Sequence, residues 1–318
     1  MSTGTIVSLH QAAQEELDYQ SKIRSGEIVP STCGYRFIDS RLLGGANDTD
    51  VILISALTGV GKSTLALKVG YNIATLNKKD RVLYFSFEMA RRKLSAKLIS
   101  TKIKKTLREM YDAGDPSIDP SHFNDFKDIP FDIVDIPLNV DQIEIICNKY
   151  CVKYPDQRCH FVFDHSMIVK NRVGDNSMET LEALSIMCNN TKKIGSRVYW
   201  IISQLNDKIQ DYKRLSTPSG QIPRLEDIYG SKTVPQACNN IVALVRPSEM
   251  NLPTKTFGPK NYPLSIKSKG IVWDMIYAVT MKARDGELGI DPLLNDLKYS
   301  QLIEFSDTAL QEFFLKYP

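Results

Sequence analysis

From about residue 35 onward the chain alternates short, continuous apolar runs with longer stretches of helical spacing. The runs are Val51–Ala56, Arg81–Phe87, Phe131–Ile136, His160–Asp164, Arg197–Ser203 and Ile241–Val245. Amphipathic segments lie among them at Lys62–Asn77, Ala90–Met110, Val140–Tyr154 and Met178–Ile194. A strand that is apolar on both faces must be covered on both. A helix between two strands returns the chain to run in the same direction. The pattern therefore predicts an α/β fold, a mostly parallel sheet flanked by helices. Asn139 with Gln142 three residues on predicts a capped start for the third helix. Residues Ile276–Phe305 read instead as a C-terminal β-hairpin, with breaks at Asp285-Gly286 and Asp291-Pro292.

Composition supports a substantial core. Of 318 residues, 42% are hydrophobic and 24% charged, which excludes collagen-like, mucin-like and mostly disordered chains. No run approaches the roughly 18 apolar residues of a membrane span, and the first twenty residues lack the apolar core of a secretion signal. A net charge of +3 neither identifies nor excludes a nucleic-acid binder. The six cysteines are scattered, which predicts reduced thiols in a cytoplasmic compartment. Cys147, Cys151, Cys159 and His160 form no C-x-x-C pair, so they read as ordinary small core residues rather than a zinc site.

Residues 8–24 read as a polar helix with a thin apolar stripe of Leu9, Ala12, Ala13, Leu17 and Ile23, which needs a partner surface. Gly26 and Pro30 separate it from the rest. Three segments are polar and poorly periodic: Lys170–Ser177, Asn206–Ile228 and Pro247–Lys269. Loops of that length in a compact domain are usually functional or disordered.

The strongest local signal comes directly after the first run. Ala56-Leu57-Thr58-Gly59-Val60-Gly61-Lys62-Ser63 is a phosphate loop, Gly-x-x-x-x-Gly-Lys-Ser/Thr, with alanine for the first glycine, and Thr64 comes next. In such a loop the backbone N–H groups of Thr58–Ser63 cradle phosphates at a helix N-terminus. Lys62 neutralises the outer oxygens and the Ser63 hydroxyl binds Mg²⁺. Other strand tips carry polar groups suited to the same ligand. Asp164 ends an apolar strand and can hold the Mg²⁺ shell. Glu88 can orient an attacking water, and Gln204 can sense the outermost phosphate.

In this order the pieces resemble the motor domain of hexameric replicative DNA helicases, the DnaB-like group with its phage and mitochondrial relatives, over residues 34–305. Thr58–Thr64 is similar to that family's first motif. Phe85-Ser86-Phe87-Glu88-Met89 is similar to its Phe-Ser-Leu-Glu-Met segment, with Glu88 on the catalytic carboxylate. Phe163-Asp164-His165 resembles the metal-site strand, and Ser203-Gln204-Leu205-Asn206 the Ser-Gln-Leu-Asn signature. Gly230-Ser231 with Val234, Gln236 and the Ile241–Leu244 strand resembles the fourth motif. Met281-Lys282-Ala283-Arg284-Asp285-Gly286 resembles the Lys-x-Arg hairpin, whose basic pair reaches the ATP of a neighbouring subunit. Asp207 and Asn239 depart from the Arg and Asp that many relatives carry there.

The resemblance implies a RecA-like P-loop ATPase core over 34–318, using ATP and Mg²⁺ and translocating 5′–3′ on single-stranded DNA as a homohexamer. It assigns residues 1–33 to a linker helix packing on the adjacent subunit, too short a segment for the N-terminal domain that relatives carry. Glu88, Gln204, Lys282 and Arg284 are then the catalytic set, with Lys282 and Arg284 acting in trans. Expected DNA contacts are Lys170 and Arg172 in one polar loop and Lys208, Lys213 and Arg214 in the next. A primase or a helicase loader is the expected protein partner. A recombinase-like filament ATPase and a loading or regulatory ring remain the alternatives. Lys282-x-Arg284 argues against the first, and retention of Glu88, Asp164 and Gln204 against the second.

Overall fold

The computed structural model describes residues 6–112, 119, 121–164, 177–229, 233–268 and 270–317. Lys170 and Arg172, with His165, Gly230 and Ser231, lie outside them. The central sheet is built from β1 (Val51–Ala56), β2 (Asp80–Ser86), β3 (Phe131–Val134), β4 (Arg158–Asp164), β5 (Arg197–Gln204) and β6 (Asn240–Val245). These pair in parallel in the order β6-β1-β5-β4-β2-β3. Each apolar run is thus a strand, displaced at its ends by no more than two residues.

Alternation along the buried strands feeds two cores. Ile52, Ile54, Tyr84, Val162 and Trp200 face one side. Val51, Leu53, Phe85, Phe161, Phe163 and Tyr199 face the other. The helices before the first strand are α1 (Leu9–Arg24) and the short α2 (Arg36–Asp39). The first core is covered by α3 (Lys62–Leu76) and α4 (Arg91–Ile103). Then come α5 (Leu107–Met110) and α6 (Ser121–Asn124). The second core is covered by α7 (Val140–Lys153) and α8 (Ser177–Thr191).

The helix expected over Ala90–Met110 is two. Lys104 takes the left-handed conformation (φ 55°), and Thr106 with Glu109 forms a capping box that starts α5 afresh. The box expected at Asn139 and Gln142 is present. The polar stretch Asn206–Ile228 folds into short turns around α9 (Tyr212–Leu215), and α10 (Thr233–Ala237) precedes β6.

After β6 the chain forms the small β7 (Thr256–Phe257) and β8 (Tyr262–Pro263), then β9 (Ser265–Ser268), β10 (Ile271–Ala283), β11 (Gly289–Asp296) and β12 (Gln301–Glu304). The last three extend the sheet antiparallel beyond β6, and α11 (Asp307–Lys316) comes after them. Of the polar stretch Pro247–Lys269, the described residues 247–268 are therefore packed structure rather than a loop: Phe257 and Tyr262 are buried and stack on Tyr277, with ring centroids 5.1 and 5.3 Å away. Asp291-Pro292 does not break a strand either. Pro292 sits inside β11 opposite Tyr277, one residue beyond the stretch paired with β12, where its missing N–H is not needed.

The helix expected near the N-terminus is α1, and no residue of it is buried; Leu9 is 87% and Leu17 67% exposed. The cysteines are all free, and no group of three or more metal-ligating side chains occurs among the described residues. No described helix is long and apolar enough to cross a membrane.

Candidate functional site

The phosphate loop joins the C-terminal end of β1 to the first turn of α3. Gly59 (φ 82°) and Gly61 (φ 108°) both lie in the left-handed region that side chains avoid, which is why these two positions are glycine. Ala56 closes β1 as an extended, fully buried residue, so glycine is not required there. A Cβ on Gly61 would also stand 2.9 Å from Leu297.

Sequence-separated groups converge on this loop. Ser63 Oγ donates to Asp164 Oδ1 at 3.0 Å, and Tyr84 donates to Oδ2 of the same carboxylate at 2.6 Å. Asp164 and Tyr84 are buried, and burial with the nearby carboxylate pushes the phenol well above its ordinary pKa. Gln204, at the tip of β5, donates through Nε2 to Thr58 Oγ1. Leu205 N–H donates to Ala56 O at 3.1 Å, which locks the β5 exit against the loop. Lys62 Nζ donates to Leu57 O at 3.1 Å. Burial lowers the Lys62 pKa, opposed by the charges of Asp164 and Glu88.

Glu88 is exposed on the turn after β2, which is held by Ser86 Oγ donating to Met89 O at 2.6 Å and Phe87 N–H donating to Asp164 O at 2.7 Å. A cleft of about 630 Å³ spans the loop, Glu88 and Gln204. It also holds Lys97, which the sequence pattern did not single out. Lys97 projects from α4, has no ion-pair partner among the described residues, and is shifted down by burial against the pull of Asp164 and Glu88. Its signal was available as a lysine on the same helix face as Leu94, three residues before it.

Lys282 and Arg284 lie elsewhere. Ala56 pairs with Leu244 and Leu244 with Ala278, so the loop shares a sheet edge with Ala278. Arg284 is six residues further along the hairpin, about 20 Å away at the rise of a strand. Lys282 and Arg284 thus stand at the opposite edge of the sheet from their own phosphate loop. An irregularity between Thr280 and Lys282 resets the register there. Lys282 Nζ donates to Pro235 O at 2.7 Å, and Arg284 N–H donates to Asn239 O at 3.1 Å. Asn239 Oδ1 accepts from Val51 N–H at 3.1 Å, an acceptor role at the start of β1 that an Asn or an Asp side chain can fill.

Of the described lysines expected to meet DNA, Lys208 and Lys213 are exposed and make no ion pair among the described residues. Arg214 is different. Its guanidinium makes a bidentate pair with buried Asp227 and donates to Gly220 O at 2.8 Å and Ile222 O at 3.1 Å. It is the internal strut of the 206–228 segment, with four of its five N–H donors spent inside the protein.

The donor set suits a nucleoside triphosphate with its divalent ion: a left-handed glycine turn, a helix N-terminus, a buried lysine, and a serine hydroxyl beside a buried carboxylate. Comparison with solved structures agrees on the fold. The ATPase domain of a phage helicase superposes with a TM-score of 0.75 over 95% of this chain and all of its own length, at 19% identity. A DnaB-like replicative helicase studied with its primase gives 0.73 over 95% of this chain and 68% of its own, at 18% identity. Among curated proteins, the replicative helicase DnaB of Treponema pallidum is 24% identical over 69% of this chain and 49% of its own length. A probable plasmid replicative helicase of Chlamydia muridarum is 25% identical over 67% and 46%. The chain therefore spans about half the length of these curated relatives. The family profile of the DnaB-like helicase C-terminal domain matches residues 31–304, and with that extent of match the chain belongs to this family.

Proposed function

We propose that the chain is an ATP-driven motor that works as a homohexameric ring, translocating 5′–3′ on single-stranded DNA and unwinding duplex. The observation that carries this reading is the separation of Arg284 from its own phosphate loop by the length of the sheet. A basic hairpin at one edge and a phosphate loop at the other are complementary halves of a head-to-tail contact. Such contacts close into rings when the rotation permits. The exposed apolar stripe of α1 supplies a second contact of the same kind, onto the adjacent subunit.

In this reading Thr58–Thr64 wrap the phosphates and Lys62 leaves Leu57 O for the outer oxygens. Ser63 and Asp164 hold Mg²⁺, which when bound neutralises charge building on the phosphoryl oxygens. Glu88 takes the proton of the attacking water. Gln204 links the phosphate to the 206–228 segment through Thr58. Lys282 and Arg284 come from the neighbour and stabilise the transferring group, an effect on the order of 10³–10⁵ in rate for inserted arginines. Lys208 and Lys213, on a segment braced by Arg214, bind the DNA backbone, and Lys170 and Arg172 belong to the same proposed set. A primase or a helicase loader is the proposed protein partner.

The test is unwinding of a forked duplex with ATP, alongside Lys62→Ala. Strand separation that needs ATP and fails in Lys62→Ala supports the motor. ATPase without strand separation turns the reading to a filament or a loading ring.

A further inference from the structure

Arg41 takes no part in the site described so far. It lies in the turn between α2 and β1, and its Nη2 donates to Asp291 Oδ2 of β11 at 3.3 Å, with both side chains less than one-fifth exposed. Two glycines frame the β10–β11 turn, and both meet this residue. A Cβ on Gly286 would stand 2.6 Å from Arg41 O, and a Cβ on Gly289 would stand 2.4 Å from Arg41 Nη2. Neither glycine is in the left-handed region, so they are small because Arg41 approaches, not because the backbone demands it. On the other side, Asn239 O and Pro235 O hold Arg284 N–H and Lys282 Nζ. The hairpin that carries the basic pair is gripped between these carbonyls and Arg41.

We propose that Arg41 is a positioning residue for Arg284: by holding the β10–β11 turn through Gly286, Gly289 and Asp291, it sets where the Arg284 guanidinium is presented to the neighbouring subunit's phosphate. This rests on the ring reading. A guanidinium on a turn that drifts by about 1 Å loses much of its effect on the transition state, while the phosphate loop of the same subunit keeps its affinity.

The test is DNA-stimulated ATPase of the full chain carrying Arg41→Ala, Arg41→Lys or Gly289→Ala, with Arg284→Ala as reference. Arg41→Ala removes the guanidinium that holds Gly289 and Asp291 while leaving the backbone approach to Gly286, and Gly289→Ala pushes that guanidinium aside from the opposite direction. Both are expected to lower kcat about 10-fold with KM for ATP within about twofold of the parent, and Arg41→Lys to recover part of the loss. Mixing Arg41→Ala with Lys62→Ala chains is expected to raise turnover above the sum of the two alone, because Lys62→Ala subunits lend a sound hairpin to intact phosphate loops. Unchanged kcat in Arg41→Ala and Gly289→Ala beside a slow Arg284→Ala overturns the positioning role alone. A loss that mixing does not recover overturns it too. Full turnover in Arg284→Ala overturns the ring reading beneath it.

Discussion

Tyr84 donates its phenolic hydrogen to Asp164 at 2.6 Å and thereby occupies the carboxylate oxygen that Ser63 leaves free. Asp164 is thus held from both sides, by β2, the strand that leads into the Glu88 turn, and by the phosphate loop. The arrangement fixes the orientation of a carboxylate that would otherwise rotate at a strand end, as supporting hydrogen bonds do around metal ligands.

Tyr84→Phe removes only that hydrogen bond. The expected result is a shift of about 10-fold in the Mg²⁺ concentration that half-saturates ATPase activity, with ATP affinity close to the parent. A Mg²⁺ titration of steady-state turnover reads it directly. Overlapping titration curves would show that Tyr84 only fills the core.

Lys97 brings a desolvated cation to the same cleft, where Asp164 and Glu88 draw on it but do not pair with it. A phosphate chain is the natural counter-charge. Lys97→Ala is expected to raise the KM for ATP about 10-fold, a loss of about 1.4 kcal/mol, and Lys97→Arg to restore most of it. Equilibrium binding of a non-hydrolysable ATP analogue separates this from an effect on the chemical step.

Arg214 and Lys213 are adjacent in sequence and separate in role. Arg214→Ala leaves the buried Asp227 carboxylate without its counter-charge, at a cost of about 3 kcal/mol, and the melting temperature should drop by roughly 4–5 °C. Lys213→Ala should melt with the parent and bind single-stranded DNA more weakly, with its salt dependence reduced by about 0.7 in log–log slope. Thermal melting and a salt titration of DNA binding, run on both variants, give opposite patterns if the assignment holds.

The features legible in the sequence were those written in local pattern. The Val51–Ala56 run, bounded by charge before and a glycine turn after, specifies a buried parallel strand wherever it occurs, and Gly59, Gly61 and Lys62 specify the phosphate turn that leads into α3. Features hidden from the pattern depend on partners distant in the chain. Tyr84 and Trp200 are both aromatics in apolar strands, and only the fold sets Tyr84 against Asp164 and Trp200 against His160. Arg214 reads as one more basic residue in a polar segment until Asp227, thirteen positions on, folds back to it. The break at Lys104 was readable in Thr106 and Glu109, but with no glycine or proline between Ala90 and Met110 the helical spacing runs on through it and masks the capping box.

Asp50 carries a pH signature that can be tested without activity. It lies just before β1 and accepts from Asn47 N–H at 2.9 Å. Burial pushes its carboxyl up to about 6, with Asp285 adding to the rise and the Asn47 bond, Lys192 and Arg158 opposing it. The folded pKa lies above the unfolded value, so the native state binds the proton more tightly. Stability from this group is present below the unfolded pKa and is lost as pH rises toward 6. Asp50→Asn keeps an acceptor for Asn47 and removes the titration. It should therefore be more stable than the parent by about 1–3 kcal/mol at pH 7.5, with the advantage shrinking toward pH 4.5. Paired denaturant melts at the two pH values measure the difference. An advantage that stays constant across that range would mean the Asp50 carboxyl is ionised in the folded protein throughout.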